Sequence, residues 1–419
     1  MSAGWWLPLT LRSLRSRWFA CALTVLTITL GVVLLVGVDH VRTQARESFT
    51  RTVSGTDLIV GARTSPVGLL LYSVFHLGEP TSNISWHSAQ RIAGMPEVAW
   101  TVPISLGDSH RGRRVIGTSS AFLTRYRYAG GRSLALAQGR AFGTLHEAVI
   151  GAEVARAFGY DVGARIVLAH GTSQRTLHAH DDAPFEVVGV LAPTGTPVDT
   201  SILTSLQSIE AIHLDWHSGV RLPGSGEALE SSDLVPDSIT AMLVGLERRG
   251  ASFAVQRRIN DDNTEPLLAI LPGVALQQLW RLLGTVERAF ALVSAAVVCV
   301  GLIGMTTALV GSLGARRREM AILRALGASP AKVAALLLVE SLLLTLSGIA
   351  LGLVALQAAL VFGRAWLLSR YGLVLEPGWP GAGVWPPLAG VAGAGVLAGL
   401  VPTLIAYRTT LADGLSPRI

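Results

Sequence analysis

Two short segments bring together histidine and carboxylate side chains, the residue types that bind divalent transition metals. The first places four candidate ligands within five residues, and His170 lies upstream of it. The second would present three candidate ligands on one face of an extended strand, because side chains alternate between the faces of a strand. We therefore expect a candidate zinc site, with ligands among His178, His180, Asp181 and Asp182 in the first segment and His213, Asp215 and His217 in the second.

A simpler interpretation of both segments remains open. The first could be a solvated polar loop and the second a strand on the surface of a domain. A metal site needs ligands from separate segments to converge on one point, and spacing along the chain does not establish that convergence.

Other kinds of site are excluded by the residues present. A phosphate-binding loop of the form G-x-x-x-x-G-K-[ST] needs a lysine after glycine, and the chain has a single lysine, Lys332, between Ala331 and Val333. A G-x-S-x-G nucleophile elbow is also absent. The two cysteines, Cys21 and Cys299, fall in apolar runs, so a disulfide framework is not expected. We predict no catalytic residue and no bound organic cofactor.

The composition indicates a membrane protein. Of 419 residues, 50% are hydrophobic and 15% charged, whereas charged residues reach about 25% in soluble domains. Four apolar stretches have the length of about 20 residues that crosses a bilayer. The net charge is +6, but the 34 basic residues are scattered along the chain rather than clustered, which argues against nucleic-acid binding.

Arginine distribution predicts the topology, because short cytoplasmic segments carry the excess of basic residues. Arg12, Arg15 and Arg17 precede the first span, and the link between the second and third spans is also rich in arginine. Both termini are therefore expected in the cytoplasm. The predicted organisation is a cytoplasmic N-terminus (1–17), helix 1 (18–38), a periplasmic domain with stalk helices (39–285), helix 2 (286–313), a cytoplasmic coupling helix (314–332), helix 3 (333–361), a periplasmic loop (362–383), helix 4 (384–405) and a cytoplasmic tail (406–419).

The large periplasmic region has ordinary soluble composition and must be a folded domain. Its alternation of short strand-like and helix-like runs predicts an α+β fold, in two subdomains. The apolar segment 66–85 is interpreted as core, with a surface that faces the membrane or a hydrophobic substrate as the alternative. The Pro/Gly/Thr-rich segment 192–200 is interpreted as a rigid turn rather than a phosphate loop. The predicted strands are 98–105, 113–117, 164–168 and 185–190, and the predicted helical stretches lie within 85–93 and 147–158.

The arginine-rich link between the second and third spans reads as an amphipathic helix over 315–326. Gly327 predicts a left-handed helix end. Ser329 and Pro330 then predict the cap and first position of the next helix. Within the spans, Glu340 is interpreted as a helix-packing or snorkelling carboxylate. The small-residue pairs Gly348/Gly352 and Gly395/Gly399 predict close helix packing, with a dimer face as a further possibility.

The run RRREMAILRALGASPAKVAALLLVESLLLTLSGIALGL resembles the signature of FtsX/MacB-type permeases, the membrane subunits of mechanotransmitting ABC transporters. The tail from Pro402 to Leu415 is similar to the ending of that family. The segments AVIGAEVARAFGYDVGARIVL and FEVVGVLAPTGTPVD are like the periplasmic core domain of MacB relatives. The resemblance implies four transmembrane helices, one MacB-like domain between helices 1 and 2, and an FtsX-like permease domain over 286–405.

The resemblance also implies function and partners. The chain would lie in the inner membrane and form a homodimer with a second permease copy. A cytoplasmic ABC ATPase dimer would bind ATP and Mg²⁺, and a periplasmic or outer-membrane protein could be a further partner. The work would be export of peptides or small molecules, as in MacB, or lipoprotein extraction, as in LolC and LolE. The residues implied to couple to the ATPase are Arg317, Arg318, Glu319, Met320, Leu323, Leu326, Gly327 and Ser329.

Two alternatives stay open at this point. The histidine clusters would fit an ABC permease linked to zinc homeostasis. From a different class, the chain could be a membrane-anchored sensor or scaffold whose outer domain binds a ligand and whose cytoplasmic link signals to a partner that is not an ATPase.

Overall fold

The computed structural model describes residues 18–52, 54–170, 183–213, 216–217, 220–221, 234–325, 327–371, 378 and 381–408. The chain divides into two compact units. Residues 46–282 form one, which we call the α+β unit. Residues 1–45 and 283–419 form the other, which we call the helical unit.

One 11-stranded sheet organises the α+β unit. Its order is β17-β1-β16-β3-β4-β12-β8-β11-β7, with β10 paired to β3 and β9 paired to β11. Most pairs are antiparallel, while β12 runs parallel to β4 and β11 parallel to β8. The strands of this sheet are β1 (Leu58–Ala62), β3 (Val98–His110), β4 (Arg113–Thr118), β7 (Leu136–Gly139), β8 (Glu147–Ile150), β9 (Arg165–Ile166), β10 (Ala169–His170), β11 (Phe185–Leu191), β12 (Ile202–Ser205), β16 (Ala241–Leu246) and β17 (Leu267–Ile270); the short pairs are β2 (Ile84–Ser85) with β15 (Ser238–Ile239), β5 (Arg127–Tyr128) with β6 (Arg132–Ser133), and β13 (Trp216–His217) with β14 (Val220–Arg221).

The sheet is buried on both faces. Because successive strand residues point to opposite faces, Ile59 of β1 joins one hydrophobic cluster while Leu58 and Val60 join another. All three side chains are fully buried. Burying a Leu, Ile or Val side chain stabilises a fold by about 1.5–3 kcal/mol, so each strand holds the two layers of the unit together.

Short helices cover both faces of the sheet. Leu69 and Leu70 lie in the first cluster on the helix that starts at Pro66, whose Ser65 hydroxyl accepts a hydrogen bond from the Gly68 amide at 2.8 Å. Ile92 lies in the second cluster. The helices of this unit are α2 (Pro66–Val74), α3 (Trp86–Ala93), α4 (Ala121–Arg125), α5 (Ala152–Phe158), α6 (Leu206–His213) and α7 (Ser252–Asn260).

The prediction of an α+β fold is confirmed, but the prediction of two subdomains is wrong. A single sheet runs through residues 58–270, because β16 and β17 return from the end of the segment to pair beside β1. Residues 147–150 are a buried central strand rather than helix. The apolar segment after Pro66 is core, as expected, since Leu69, Leu70, Tyr72, Val74 and Phe75 are buried.

The helical unit consists of long helices. Each of the four contains a stretch that is long and apolar enough to cross a membrane. The first helix continues beyond the apolar span through a polar segment to Thr52. The helix-compatible sequence of that segment predicts this extension. The four helices are α1 (Trp18–Thr52), α8 (Pro272–Ala325), α9 (Pro330–Tyr371) and α10 (Trp385–Arg408).

These helices pack through one face each. On α1, Ile28, Val32 and Val36 recur every fourth residue and are fully buried against residues of α8, α9 and α10. On the same helix Leu26 and Leu30 are 62% and 52% exposed. Large apolar side chains exposed along a helix of this length are typical of a lipid-facing surface.

Candidate functional site

The link between α8 and α9 has the turn that the sequence predicts. Gly327 adopts φ +91°, a left-handed conformation that glycine reaches without steric cost. Helix α9 begins at Pro330, and the Ser329 carbonyl accepts hydrogen bonds from the amides of Lys332 at 2.9 Å and Val333 at 3.3 Å. The left-handed glycine and the proline at the first helical position therefore lie where the sequence places them.

The link differs from the prediction in one respect. It is not a separate short helix, because α8 continues unbroken from Pro272 to Ala325. The residues from Ala315 onward are mostly strong helix formers, and the glycine at 314 costs only about 1 kcal/mol in a helix. Nothing in this stretch interrupts the backbone hydrogen-bond pattern, so the predicted stalk, the apolar span and the predicted coupling segment lie on one helix.

The predicted coupling residues are placed on this helix by their backbone only. The side chains of Arg317, Arg318, Glu319, Met320 and Leu323 lie outside the described part of the chain, as does the whole of Leu326. Gly327 and Ser329 are described, and both are exposed. Their role in binding an ATPase stays a prediction.

The small-residue pairs in the spans pack against other helices of the same chain. A Cβ added at Gly348 would lie 2.7 Å from Ile28 Cγ2, and one added at Gly352 would lie 2.7 Å from Val32 Cγ1, both on α1. The Thr29 hydroxyl donates a hydrogen bond to the Gly348 carbonyl at 3.2 Å. The prediction of close packing is confirmed, and the partner here is α1 rather than a second copy.

The second pair packs in the same manner between α9 and α10. A Cβ at Gly395 would meet Thr345, and one at Gly399 would meet Ser341. Both hydroxyl residues are fully buried, and so is the neighbouring Glu340. Glu340 is therefore a packed carboxylate inside the helical unit rather than one that snorkels to the interface.

The predicted metal ligands have separate outcomes. His178, His180, Asp181, Asp182 and Asp215 lie outside the described residues, and the side chain of His217 on β13 does too. His213 is described, as the last residue of α6.

His213 belongs to a cluster with Asp108 and His170. Strand β10 pairs antiparallel with β3 in a register that places His170 directly opposite Asp108, and directly opposite residues present their side chains on the same face. The carboxylate is buried, at 3% exposure, whereas the two imidazole side chains are about a third exposed. Three elements that are distant in sequence thus bring two nitrogens and one oxygen together at the edge of the core.

The distances within this cluster are short. Asp108 Oδ1 lies 3.0 Å from His170 Nδ1 and 3.7 Å from His213 Nε2. The two nitrogens are 3.4 Å apart, and the two rings stack with centroids 4.8 Å apart. Burial acts to raise the pKa of Asp108, but the two imidazoles outweigh it and hold that pKa at about 2. Asp108 is therefore a carboxylate at neutral pH.

Asp108 was missed because its partners are not visible along the sequence. The residue sits within a strand where its neighbours Leu106, Ser109 and His110 are buried, and a buried carboxylate requires a partner. The predicted strand 98–105 ended before Asp108, whereas β3 continues to His110, so the sequence offered no sign that this carboxylate is buried. The partners lie 62 and 105 residues further along the chain, so only the pairing of β10 with β3 and the position of α6 reveal them.

The segment 192–200 is a structural turn, as predicted. The Asp199 carboxylate accepts hydrogen bonds from the amides of Thr194 and Gly195 at 2.7–3.0 Å. These amides are the groups that would otherwise bind an anion, so the turn satisfies its own donors. Gly195 adopts φ +69°, which fits the glycine at that point of the turn.

Comparisons with known proteins agree with the architecture. A family model described as "MacB-like periplasmic core domain" matches residues 21–260, and a second, described as "FtsX-like permease C-terminal", matches residues 291–412. Among solved structures, the periplasmic region of MacB from Actinobacillus actinomycetemcomitans is similar at 9% identity, with TM-score 0.35, over 56% of this chain and 98% of that one. The extracellular domain of the ABC-type transporter YknZ from Gram-positive bacteria is similar at 12% identity, with TM-score 0.32, over 51% of this chain and 99% of that one. No curated protein sequence matches the chain.

The two matched regions together cover most of the chain and follow the order of its elements. Permeases of this kind carry no ATPase site of their own and work with a cytoplasmic ABC ATPase. With its four apolar helices and its α+β unit between the first and second of them, the chain belongs to the FtsX/MacB family of ABC transporter permeases and is a multi-pass membrane protein.

Proposed function

We propose that this permease is mechanotransmitting: it converts ATP hydrolysis by a separate cytoplasmic ATPase dimer into movement of its α+β unit on the periplasmic side of the inner membrane. The permease would act as a homodimer, with both termini in the cytoplasm. The work would be export of peptides or small molecules, or extraction of lipoproteins. No substrate would pass through the bilayer within this chain.

The observation that carries this proposal is the unbroken helix α8. Its 54 residues correspond to about 80 Å at a rise of about 1.5 Å per residue, more than twice the thickness of the hydrocarbon core. One end reaches the Gly327 turn, where an ATPase would dock. The other end begins at Pro272, within the residue range of the α+β unit. A helix without a break transmits displacement along its axis, because its hydrogen bonds resist compression.

A second helix would move with α8. Arg42 Nε of α1 lies 3.1 Å from Glu287 Oε1 of α8. Ile28 and Val32 of α1 also close against the glycine face of α9. Since an exposed ion pair contributes only about 0–1 kcal/mol, the buried contacts are the stronger link. Together they support movement of α1, α8 and α9 as one body.

The docking assignment is tested at the cytoplasmic end of α8. We expect charge reversal at Arg318 or a polar change at Leu323 to release the ATPase, because both remove contacts from one short docking surface. The measurement is co-purification of the ATPase with the detergent-solubilised permease, followed by ATPase activity in proteoliposomes. Arg364→Glu is the matched control. It makes the same charge change as Arg318→Glu, but near the end of α9 that is distant from the Gly327 turn.

The outcome is decisive in both directions. Loss of the ATPase in Arg318→Glu and Leu323→Asp, with retention in Arg364→Glu, supports the proposal. Full retention in both test variants overturns the docking assignment. Topology is checked independently by cysteine labelling of intact cells, after Cys21 and Cys299 are replaced by serine. A cysteine at the exposed Ser329 must be protected from an impermeant reagent, and one at the exposed His87 must react.

A further inference from the structure

We propose that Asp108, His170 and His213 form a binding site for one divalent transition-metal ion of the zinc type in the α+β unit. Two imidazole nitrogens and a carboxylate oxygen are the donors that zinc prefers. The site is independent of the ATPase and of the transport mechanism proposed above.

The separations of the three donor atoms fit a tetrahedral ion. Ligands around zinc at bond lengths of about 2.0–2.1 Å lie about 3.3 Å from one another. The observed separations are 3.0, 3.4 and 3.7 Å. A circle through three atoms with these separations has a radius of about 2.0 Å, so a point close to their plane lies at zinc bonding distance from all three.

The buried carboxylate oxygen supports a ligand at that point. Oδ1 of Asp108 has no hydrogen bond, although His170 Nδ1 lies 3.0 Å away. The nitrogen is near the oxygen but not aligned with it. Buried polar atoms normally have a hydrogen-bond partner, and an ion bound at this point would supply a directed partner for Oδ1.

Both histidines are held and open in the manner of a metal site. His213 is carried by the last turn of α6, and its ring stacks on that of His170. The side chains of His170 and His213 remain 36% and 33% exposed. An ion can therefore enter from solvent, and water can occupy the fourth position of the tetrahedron.

A neighbouring histidine shows the contrast. His110 on β3 uses both ring nitrogens within the protein: Nδ1 pairs with the Val167 carbonyl at 2.6 Å and Nε2 with the Tyr160 hydroxyl at 2.9 Å. It has no nitrogen left for a metal. His110 therefore stays outside the cluster formed by Asp108, His170 and His213.

The test is zinc binding by the full-length permease in detergent, after removal of metal with a chelator. Titration calorimetry with ZnCl₂ should give one tight site per chain, and Mg²⁺ should not compete. Asp108→Asn keeps the shape of the side chain and removes its charge. We expect it to weaken zinc binding by about 100-fold or more, the upper range found even for outer-shell changes. His170→Ala and His213→Ala should have the same effect.

Two controls make the assignment specific. His87 is exposed on α3, and His87→Ala should leave the tight site intact. The double variant His178→Ala/His180→Ala should also retain it. Absence of a tight site in the unmodified chain overturns the proposal, as does a tight site that survives Asp108→Asn or disappears in the double variant.

A second readout covers the case in which a histidine variant does not fold. Cobalt(II) in a tetrahedral site with nitrogen and oxygen ligands absorbs strongly in the visible range. The unmodified chain should show this absorption at one equivalent of Co²⁺, and folded Asp108→Asn should not. A weak octahedral spectrum in the unmodified chain contradicts the proposed geometry.

Discussion

Replacement of Gly395 by alanine tests how tightly α9 and α10 are packed. The new Cβ would lie 2.2 Å from Thr345 Oγ1 and 2.7 Å from Thr345 Cγ2, whereas carbon atoms in contact are normally about 3.5–4.0 Å apart. Thr345 is fully buried, and its hydroxyl donates to the Ser341 carbonyl at 2.8 Å. The threonine cannot turn away without losing that hydrogen bond, so the helices must separate.

The magnitude follows from two opposing contributions. Overpacking a well-packed core costs about 1–3 kcal/mol. Alanine is favoured over glycine in a helix by about 1 kcal/mol. Gly393 lies on the same helix with no atom within 4 Å of an added Cβ, so Gly393→Ala experiences only the second contribution. The helix-propensity gain cancels in the comparison. Gly395→Ala should be less stable than Gly393→Ala by about 1–3 kcal/mol.

The assay is thermal unfolding of the detergent-solubilised permease, followed by the loss of the monodisperse peak of a fluorescent fusion on size exclusion. A second substitution provides the rescue. Thr345→Ala removes the two nearest atoms and leaves only Cβ, 2.9 Å from the new methyl group. The double variant should therefore melt above the value that the two single variants predict by addition. Equal melting of Gly395→Ala and Gly393→Ala would refute the packing argument.

Three further predictions concern the α+β unit, each measured by unfolding of the full-length chain. Gly151→Ala should abolish folded yield, because its Cβ would lie 2.3 Å from the Asp199 carbonyl oxygen, whereas Gly143→Ala, with open space, should not. Glu147→Gln should lower the free energy of unfolding by about 1.5–3 kcal/mol, because it weakens the hydrogen bonds that Glu147 accepts from an arginine and two backbone amides. Those bonds hold the pKa of Glu147 below its usual value, so their contribution is present at neutral pH and lost on acidification. Burial lowers the pKa of His76 to about 3, so below pH about 6.5 the unfolded chain takes up a proton that the folded chain does not. The free energy of unfolding should therefore fall towards acid pH by up to about 1.4 kcal/mol per pH unit. His76→Asn should flatten this dependence, since asparagine tolerates the positive φ of 55° at this position.

Much of the architecture could be predicted from the sequence, because its signals are local. Apolar length indicates the four spans, and the order glycine, serine, proline after the arginine-rich segment indicates the turn near Gly327. The helix stop at Ala325 and the restart at Pro330 follow this pattern. Alternating apolar residues likewise predicted strands close to β3, β4 and β11.

The rest depended on contacts between residues far apart in sequence. The unity of the sheet comes from β16 and β17 pairing with strands some 140 to 210 residues earlier. The partner of Gly348 lies on α1, more than 300 residues away. His213 was recognised as a ligand type, but its spacing pointed to Asp215 and His217, whereas the fold places it beside Asp108.

An uninterrupted helix also fixes rotational phase. Each residue added to an α-helix turns everything beyond it by about 100°, so a single insertion in α8 would point every later side chain in a new direction without shortening the rod. Two added turns, about seven residues, nearly restore the original azimuth. For the force transmission that we propose, the angle between the two ends of the segment from Pro272 to Ala325 would therefore matter as much as the identity of its residues.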